Sequence, residues 1–335
     1  MRRTLLLFAV LAALALAPSV RAGSVGIFYY AWYGTPALDG TYIHWGQNGY
    51  VPPLDIAANF YPASGLYSSR DSRVQKRQMR EIVLAGADTV ITSWWGWGSP
   101  EDLLLPSVLN AAKREHLKIA IHLEPYAGRT IKTIRSDVAH LRMLGITDFY
   151  LYDPKVIPAR EWAIFMRSKP SGIRYFAETT LVGWALSAGF DGVYTYDPYS
   201  FGASFFGRFC DQASAVGLLC LPSVGPGYDS RKVRDEGELK SRRNGIIYDA
   251  MWLAAIRSEA DGITITSYNE WHEGTQIEPA RLREGFDSYE GAWGLHGRRA
   301  QNAYLCRTRQ WTSLYRKASS GLLSRVSIPA AAPVC

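Results

Sequence analysis

Short runs rich in β-branched and aromatic residues alternate with amphipathic segments along the whole chain. This alternation limits the possible folds more than any other feature. Val25 to Ala31, Asp88 to Trp94, Lys118 to Leu123, Asp148 to Tyr152, Ile173 to Glu178, Gly192 to Tyr196, Leu218 to Ser223 and Gly262 to Ser267 read as strands. Helical patterns separate them. Asp71 to Ala85 places Val74, Met79, Ile82 and Val83 on an apolar side, and Glu101 to Glu115 places Leu104, Val108, Leu109 and Ala112 in a stripe. Thr130 to Leu144, Ala159 to Arg167, Thr180 to Ala188, Phe201 to Val216 and Asn244 to Ala260 follow, and Ala300 to Arg316 closes the series. Strands alternating with crossover helices make a parallel sheet. Eight such units define an α/β chain folded as a single (β/α)8 barrel. An open doubly wound sheet is the structural alternative, but no GxGxxG follows the first strand.

The ends of the chain lie outside this pattern. Arg2 and Arg3 precede an apolar run from Leu5 to Ala17, and Val20-Arg21-Ala22 supplies a cleavage site. Residues 1–22 therefore read as a secretory signal peptide cut after Ala22, too short to span a bilayer comfortably. The alternative is an uncleaved anchor. The catalytic barrel is expected over 23–320 and a C-terminal tail over 321–335. A secreted or periplasmic protein follows, with no stable membrane insertion after cleavage. Loss of the leader's Arg2, Arg3 and Arg21 takes the net charge of +7 to +4. This mild charge does not imply a nucleic-acid partner, no basic arm supports one, and none is expected. An exported chain with Cys210, Cys220, Cys306 and Cys335 is compatible with disulfides in any of three connectivities. Cys210–Cys220 with Cys306–Cys335 is the expected one, and no cysteine spacing suits zinc.

A barrel puts its chemistry at the C-terminal ends of its strands. There the sequence has Tyr29-Tyr30-Ala31-Trp32-Tyr33, Ser93-Trp94-Trp95-Gly96, His122-Leu123-Glu124-Pro125-Tyr126 with Arg129 close behind, Tyr194-Thr195-Tyr196, and Gly225 with Tyr228. The last strand runs into Asn269-Glu270-Trp271-His272-Glu273. Aromatic faces and three glutamates at one rim suit a carbohydrate cleft, because sugars have flat apolar faces and acid/base catalysis on them uses carboxylates. The loop 34–70 has no periodicity but is rich in Gly, Pro and Tyr, which marks an ordered functional loop.

These blocks also resemble a known family. Phe28 to Gly34, His44-Trp45, Tyr67 to Asp71, Ser93 to Gly96, His122 to Tyr126, Gly225-Pro226-Gly227-Tyr228-Asp229 and above all Asn269 to Pro279 are similar to glycoside hydrolase family 99, in the family's order over about Gly26 to Ala280. The resemblance implies a (β/α)8 endo-acting α-mannosidase that cleaves within α-1,2-linked mannosides with retention, on α-mannan or mannose-rich oligosaccharides, with neither cofactor nor metal. It implies a 1,2-anhydro sugar intermediate, with Glu270 as base toward the 2-hydroxyl and Glu273 as acid/base. Glu124 matches a position that binds substrate hydroxyls; otherwise it is a barrel-end carboxylate held by Arg129. Trp95 stands where bacterial mannan-cleaving members have Trp and animal enzymes acting on glucosylated mannose have Tyr, which implies mannose in the distal subsite. Tyr30, His44, Trp45, Trp94, Tyr126, Tyr194, Tyr228, Trp271 and His272 are candidate substrate-binding residues, and Glu278 is a structural acid.

Other readings remain beside this one. His272-Glu273 superficially suggests a zinc hydrolase, but Gln276 stands where the second histidine would be needed. A non-catalytic sugar-binding barrel would keep the aromatics without needing both glutamates. A glycosidase of another linkage specificity is the nearest alternative.

Overall fold

The computed structural model describes residues 23–234 and 236–335. The signal peptide and its cleavage site lie outside the described residues. The strands are β1 (Ser24–Tyr29), β2 (Thr89–Trp94), β3 (Lys118–Leu123), β4 (Asp148–Leu151), β5 (Arg174–Glu178), β6 (Gly192–Tyr194), β7 (Leu219–Leu221), β8 (Ser223–Val224), β9 (Tyr228–Asp229), β10 (Leu239–Lys240) and β11 (Gly262–Ile265). The helices are α1 (Pro36–Asp39), α2 (Ser72–Ala85), α3 (Pro100–Arg114), α4 (Ile131–Met143), α5 (Ala159–Met166), α6 (Val182–Ala188), α7 (Ala203–Ala215), α8 (Ile246–Arg257), α9 (Arg298–Gln301) and α10 (Ala303–Ser319).

The sheet runs β7-β6-β5-β4-β3-β2-β1-β11-β8, all parallel. β7 and β8 are two halves of one strand interrupted at Pro222, so the order closes on itself. Pro222 has no N–H to give a ladder. Its carbonyl still accepts from Thr264 N at 3.1 Å, and Val224 O accepts from Thr266 N at 2.9 Å. The eight-unit (β/α)8 barrel expected from the alternation is thus present. β2, β3 and β5 end where their sequence patterns do, while β1, β4, β6 and β11 stop one or two residues earlier because their last residues turn out of the ladder to build the rim.

Aromatic rings fill much of the barrel where branched aliphatics are usual. Phe28 lies 4.7 Å from His122 and 5.8 Å from Tyr194 between ring centroids, and Tyr150 stacks on Phe176 at 4.7 Å. Gly26 makes room for this bulk: a Cβ there would sit 2.7 Å from Ile91 Cδ1.

Two helix faces differ from their sequence pattern. α2 buries Gln75, Gln78, Met79, Ile82 and Ala85, while Val83 is exposed and Val74 half-buried. The glutamines win because they are satisfied. Gln78 accepts from Tyr29 Oη at 2.7 Å and donates to Glu278 at 3.2 Å, and Gln75 donates to Ser69 O at 2.8 Å. α3 buries Leu105, Val108 and Ala112, with Leu104 and Leu109 only half-buried.

Both expected disulfides are present, Cys210–Cys220 joining α7 to β7 and Cys306–Cys335 fastening the tail to α10. Arg307 supports the tail by donating to Pro329 O and Ala331 O. Loop 34–70 is ordered: Gly34 bridges Ile43, Trp45 is fully buried, and Ser69 N donates to Tyr33 O at 2.7 Å. Among the described residues no helix is long and apolar enough to cross a membrane.

Candidate active site

The segment after β11 turns back across the top of the barrel and is stapled to the end of β1. Asn269 does most of this. Its Oδ1 accepts from Tyr30 N and its Nδ2 donates to Tyr30 O, each at 2.8 Å. Ser267 Oγ accepts from Glu270 N at 2.8 Å, which fixes the backbone beneath the first carboxylate. Gly274, at φ +58, lets the strap carrying β9 approach: a Cβ there would sit 3.0 Å from Asp229 Cβ. That approach lets Asp229 N donate to Glu273 O at 2.7 Å.

Glu270 is buried, and its Oε1 accepts from His272 N at 3.3 Å. Burial pushes its carboxyl well above the ordinary range, and the nearby Glu273 pushes it further. Glu273 is more open, with 18% of its side chain exposed. Its Oε1 receives Tyr228 Oη at 3.3 Å and Arg234 Nη2 at 2.8 Å. Burial raises it to about 7, with Arg234 pulling downward and Asp197 pushing up. Burial thus favours the protonated form of both carboxyls, and at Glu270 the neighbouring Glu273 adds to it.

Tyr30 lies among the acids. Burial, then the fields of Glu124 and Glu270, raise its hydroxyl well above the ordinary value, and that hydroxyl pairs with Tyr196 Oη. Glu124 Oε1 accepts from Ser93 Oγ at 2.8 Å and lies 3.0 Å from His122 Nδ1. Ser93 Oγ in turn accepts from Trp95 Nε1 at 3.1 Å, so Trp95 is tied to Glu124 through one hydroxyl. Arg129 does not hold Glu124; it donates to the carbonyls of Leu123, Tyr152 and Asp153 and closes the strand ends.

Beside Glu270, His272 Nδ1 is 3.8 Å from Oε1 and Nε2 is 2.7 Å from His44 O. A carbonyl only accepts, so Nε2 carries the proton. Burial lowers His272 to about 4, and burial followed by the field of His272 lowers His44 to about 4. Both are neutral at physiological pH. His44 stacks on Trp32 at 4.6 Å.

Four expected lining residues have other employment. Trp45 is fully buried, stacked on Tyr33 at 4.2 Å, and donates to Tyr67 O. Trp94 is fully buried and donates to Asp102 Oδ1. Trp271 is fully buried and donates to Glu278 Oε2 at 3.0 Å. Tyr126 directs its hydroxyl to Asp137 and Thr133 of α4. In each case the polar edge is satisfied inside the shell. Tyr194 lies deeper, its hydroxyl 3.0 Å from His122 Nε2. Glu278 takes Arg77 at 2.8 Å and Tyr67 Oη at 2.7 Å, a structural role.

Sequence reasoning missed Trp32, Tyr196 and Arg234 as candidates. The first two stood in strand-end blocks and could have been taken from them. Arg234 lies in a charged stretch without any motif. Among the described residues no cluster of three or more His, Cys, Asp or Glu could hold a metal.

A parallel eight-stranded barrel with two neighbouring glutamates and aromatics at its C-terminal rim defines a glycoside-hydrolase class of enzyme. Comparison with known proteins gives the same class. The model of glycosyl hydrolase family 99 matches residues 22–317, and this chain belongs to that family. It is 35% identical over 315 residues to a glycoprotein endo-alpha-1,2-mannosidase-like protein of Danio rerio, covering 76% of this chain and 71% of that protein. It is 30% identical to the glycoprotein endo-alpha-1,2-mannosidase of Rattus norvegicus, covering 88% and 75%. The solved GH99 endo-alpha-mannosidase of Bacteroides thetaiotaomicron superposes with a TM-score of 0.79 at 31% identity, over 89% of this chain and 99% of that one.

Proposed function

We propose that this enzyme is a retaining endo-α-1,2-mannosidase of mannan-type chains that works through a 1,2-anhydro sugar. The pairing of Glu270 with Glu273 on one short turn carries the reading. The two stand three residues apart at the C-terminal rim, only Glu273 is partly open to solvent, and the aromatic rim surrounds them. Relatives named as endo-alpha-1,2-mannosidases support the linkage.

In the first step Glu270 takes the proton of the 2-hydroxyl. O2 attacks C1, the glycosidic C1–O bond breaks, and Glu273 delivers its proton to the departing oxygen. In the second step Glu273 takes a proton from water, the water oxygen opens the anhydro ring at C1, and O2 recovers its proton from Glu270. Two inversions give net retention. Glu124 binds hydroxyls of the reacting region, Tyr30 and Tyr228 line it, and Trp95 forms a distal subsite that favours mannose. The enzyme acts after export, in a periplasm or outside the cell.

Two substrates test this together. Yeast-type mannan, at α-1,2 bonds donated by a mannose with a free 2-hydroxyl, should be cleaved internally with retained configuration at the new reducing end, and faster than a glucosyl-mannose oligosaccharide. A chain lacking the reacting 2-hydroxyl should be inert. Cleavage of that analogue, or capture of a glycosyl ester on either glutamate, would show an ordinary nucleophilic mechanism instead.

A further inference from the structure

Among the described residues, three of the exposed large apolar side chains are aromatic: Trp95, Trp97 and Tyr199. All three stand in loops at the C-terminal ends of strands. Trp95 and Trp97 follow β2, and Tyr199 follows β6, where it packs on Tyr228 at 5.6 Å. The remaining aromatic rings among the described residues are covered at least in part. The most open ring of the three is Trp97, 59% exposed.

Trp97 is not a loose side chain. One face lies on the His140 ring of α4, with centroids 4.4 Å apart and planes 10° apart. His140 is fixed in turn, its Nε2 2.9 Å from Asp102 Oδ1. Asp102 also takes Trp94 Nε1 at 3.0 Å and Gly98 N at 2.9 Å, so one buried carboxylate ties the backbone beside Trp97 to the ring beneath it. Gly96 and Gly98, at φ +106 and +83, permit the tight course of the loop, and Gly96 lies against the Tyr126 ring. A covered face, a braced partner and an open face make a preorganised stacking surface. The open face gains nothing from packing, whereas a fixed flat face costs little entropy when a ligand settles on it. Two residues of chain separate Trp97 from Trp95 by at most about 7 Å, and Trp95 connects through Ser93 to Glu124.

We propose that Trp97, braced by His140, is an additional saccharide subsite beyond Trp95, stacking on a pyranose of the same chain that does not take part in the reaction. It rests on the carbohydrate-hydrolase reading above and deepens it. The cleft extends outward along the β2 loop, and the enzyme favours chains long enough to reach Trp97.

The test compares the shortest α-mannooligosaccharide that is cleaved with a long mannan chain, both offering an α-1,2 bond donated by a mannose whose 2-hydroxyl is free. W97A should lower kcat/KM on the long chain by about tenfold and change the short one by less than about twofold. W97F should keep most of the length preference, and H140A, which frees the ring without removing it, should lose part of it. Equal losses on both lengths, or no loss on the long chain, would overturn the subsite. Calorimetric titration of both chains into E273Q, with and without W97A, separates the two ideas. A wild type that cleaves neither chain, while E273Q binds the long one more tightly through Trp97, would sink the reaction and support the subsite. Length-independent binding would overturn the subsite whatever the reaction.

Discussion

Arg234 Nη2 lies 2.8 Å from Glu273 Oε1, so the carboxylate assigned to protonate the leaving group carries a guanidinium in the unliganded enzyme. This contact favours the ionised form of Glu273, against the burial that raises it to about 7. On the proposed mechanism the acid needs the opposite state, so substrate entry is expected to loosen the pair. R234A removes the downward pull. Its kcat/KM–pH profile should keep activity to higher pH than wild type. An unchanged basic limb would mean that Arg234 does not act on the working acid.

The two glutamates should show distinct losses. E273Q is expected to lose about 10²–10⁴-fold in kcat on mannan, and less on an aryl mannoside whose leaving group needs no proton. E270Q should lose activity on both, because the 2-hydroxyl must be deprotonated in either case. Steady-state kinetics with the two substrates checks this. Equal losses in E273Q on both would remove its role as acid.

The pH dependence of stability follows from the same burial. Glu81, Glu178 and Glu273 are each raised to about 7, burial being the main cause. A carboxyl whose folded value lies above its unfolded one binds more protons when folded. Its stabilising effect is complete below about pH 4 and is lost as pH rises through 7. Thermal unfolding should therefore come earlier at pH 8 than at pH 6. E273Q should unfold at least about 2 °C higher than wild type at pH 8 and show a smaller gain at pH 5. An equal gain at both pH values would contradict the burial of an ionisable Glu273.

The Cys306–Cys335 bridge closes a segment with a sequence separation of 29, and the Arg307 side chain depends on the tail it fastens. C306S/C335S should cost about 3.6 kcal/mol on the chain-entropy account. Denaturant unfolding with and without reductant measures it; a double variant as stable as wild type would show that Arg307 alone fixes the tail.

No arrangement of three or more potential ligands for a metal exists among the described residues. Prolonged chelation should leave the mannan-cleaving rate within about twofold of the untreated enzyme, since carboxylates alone can carry the proton transfers. A loss restored by adding a divalent ion would reopen a metal mechanism.

The sequence by itself determined the barrel and the class of chemistry. Eight alternations fix which segments are strands, because hydrophobic period is a local property of the backbone. The turn from Asn269 to Pro279 follows the last of them, so its glutamates necessarily stand at the C-terminal rim. Both disulfides followed as expected. The tertiary structure decided which aromatics are buried and which stay open at the rim. Trp45, Trp94 and Trp271 look in sequence like Trp95 and Trp97, yet the first three are fully buried and the last two exposed. An indole's composition is the same whether its face meets a sugar or a core, and only packing from distant elements chooses between them. The same holds for Gln75 and Gln78, whose burial depends on partners such as Ser69 and Glu278, and for Arg234, brought to Glu273 across 39 residues of chain. Such contacts are set by how loops from separate strands meet above the barrel, and no local pattern in the sequence records that.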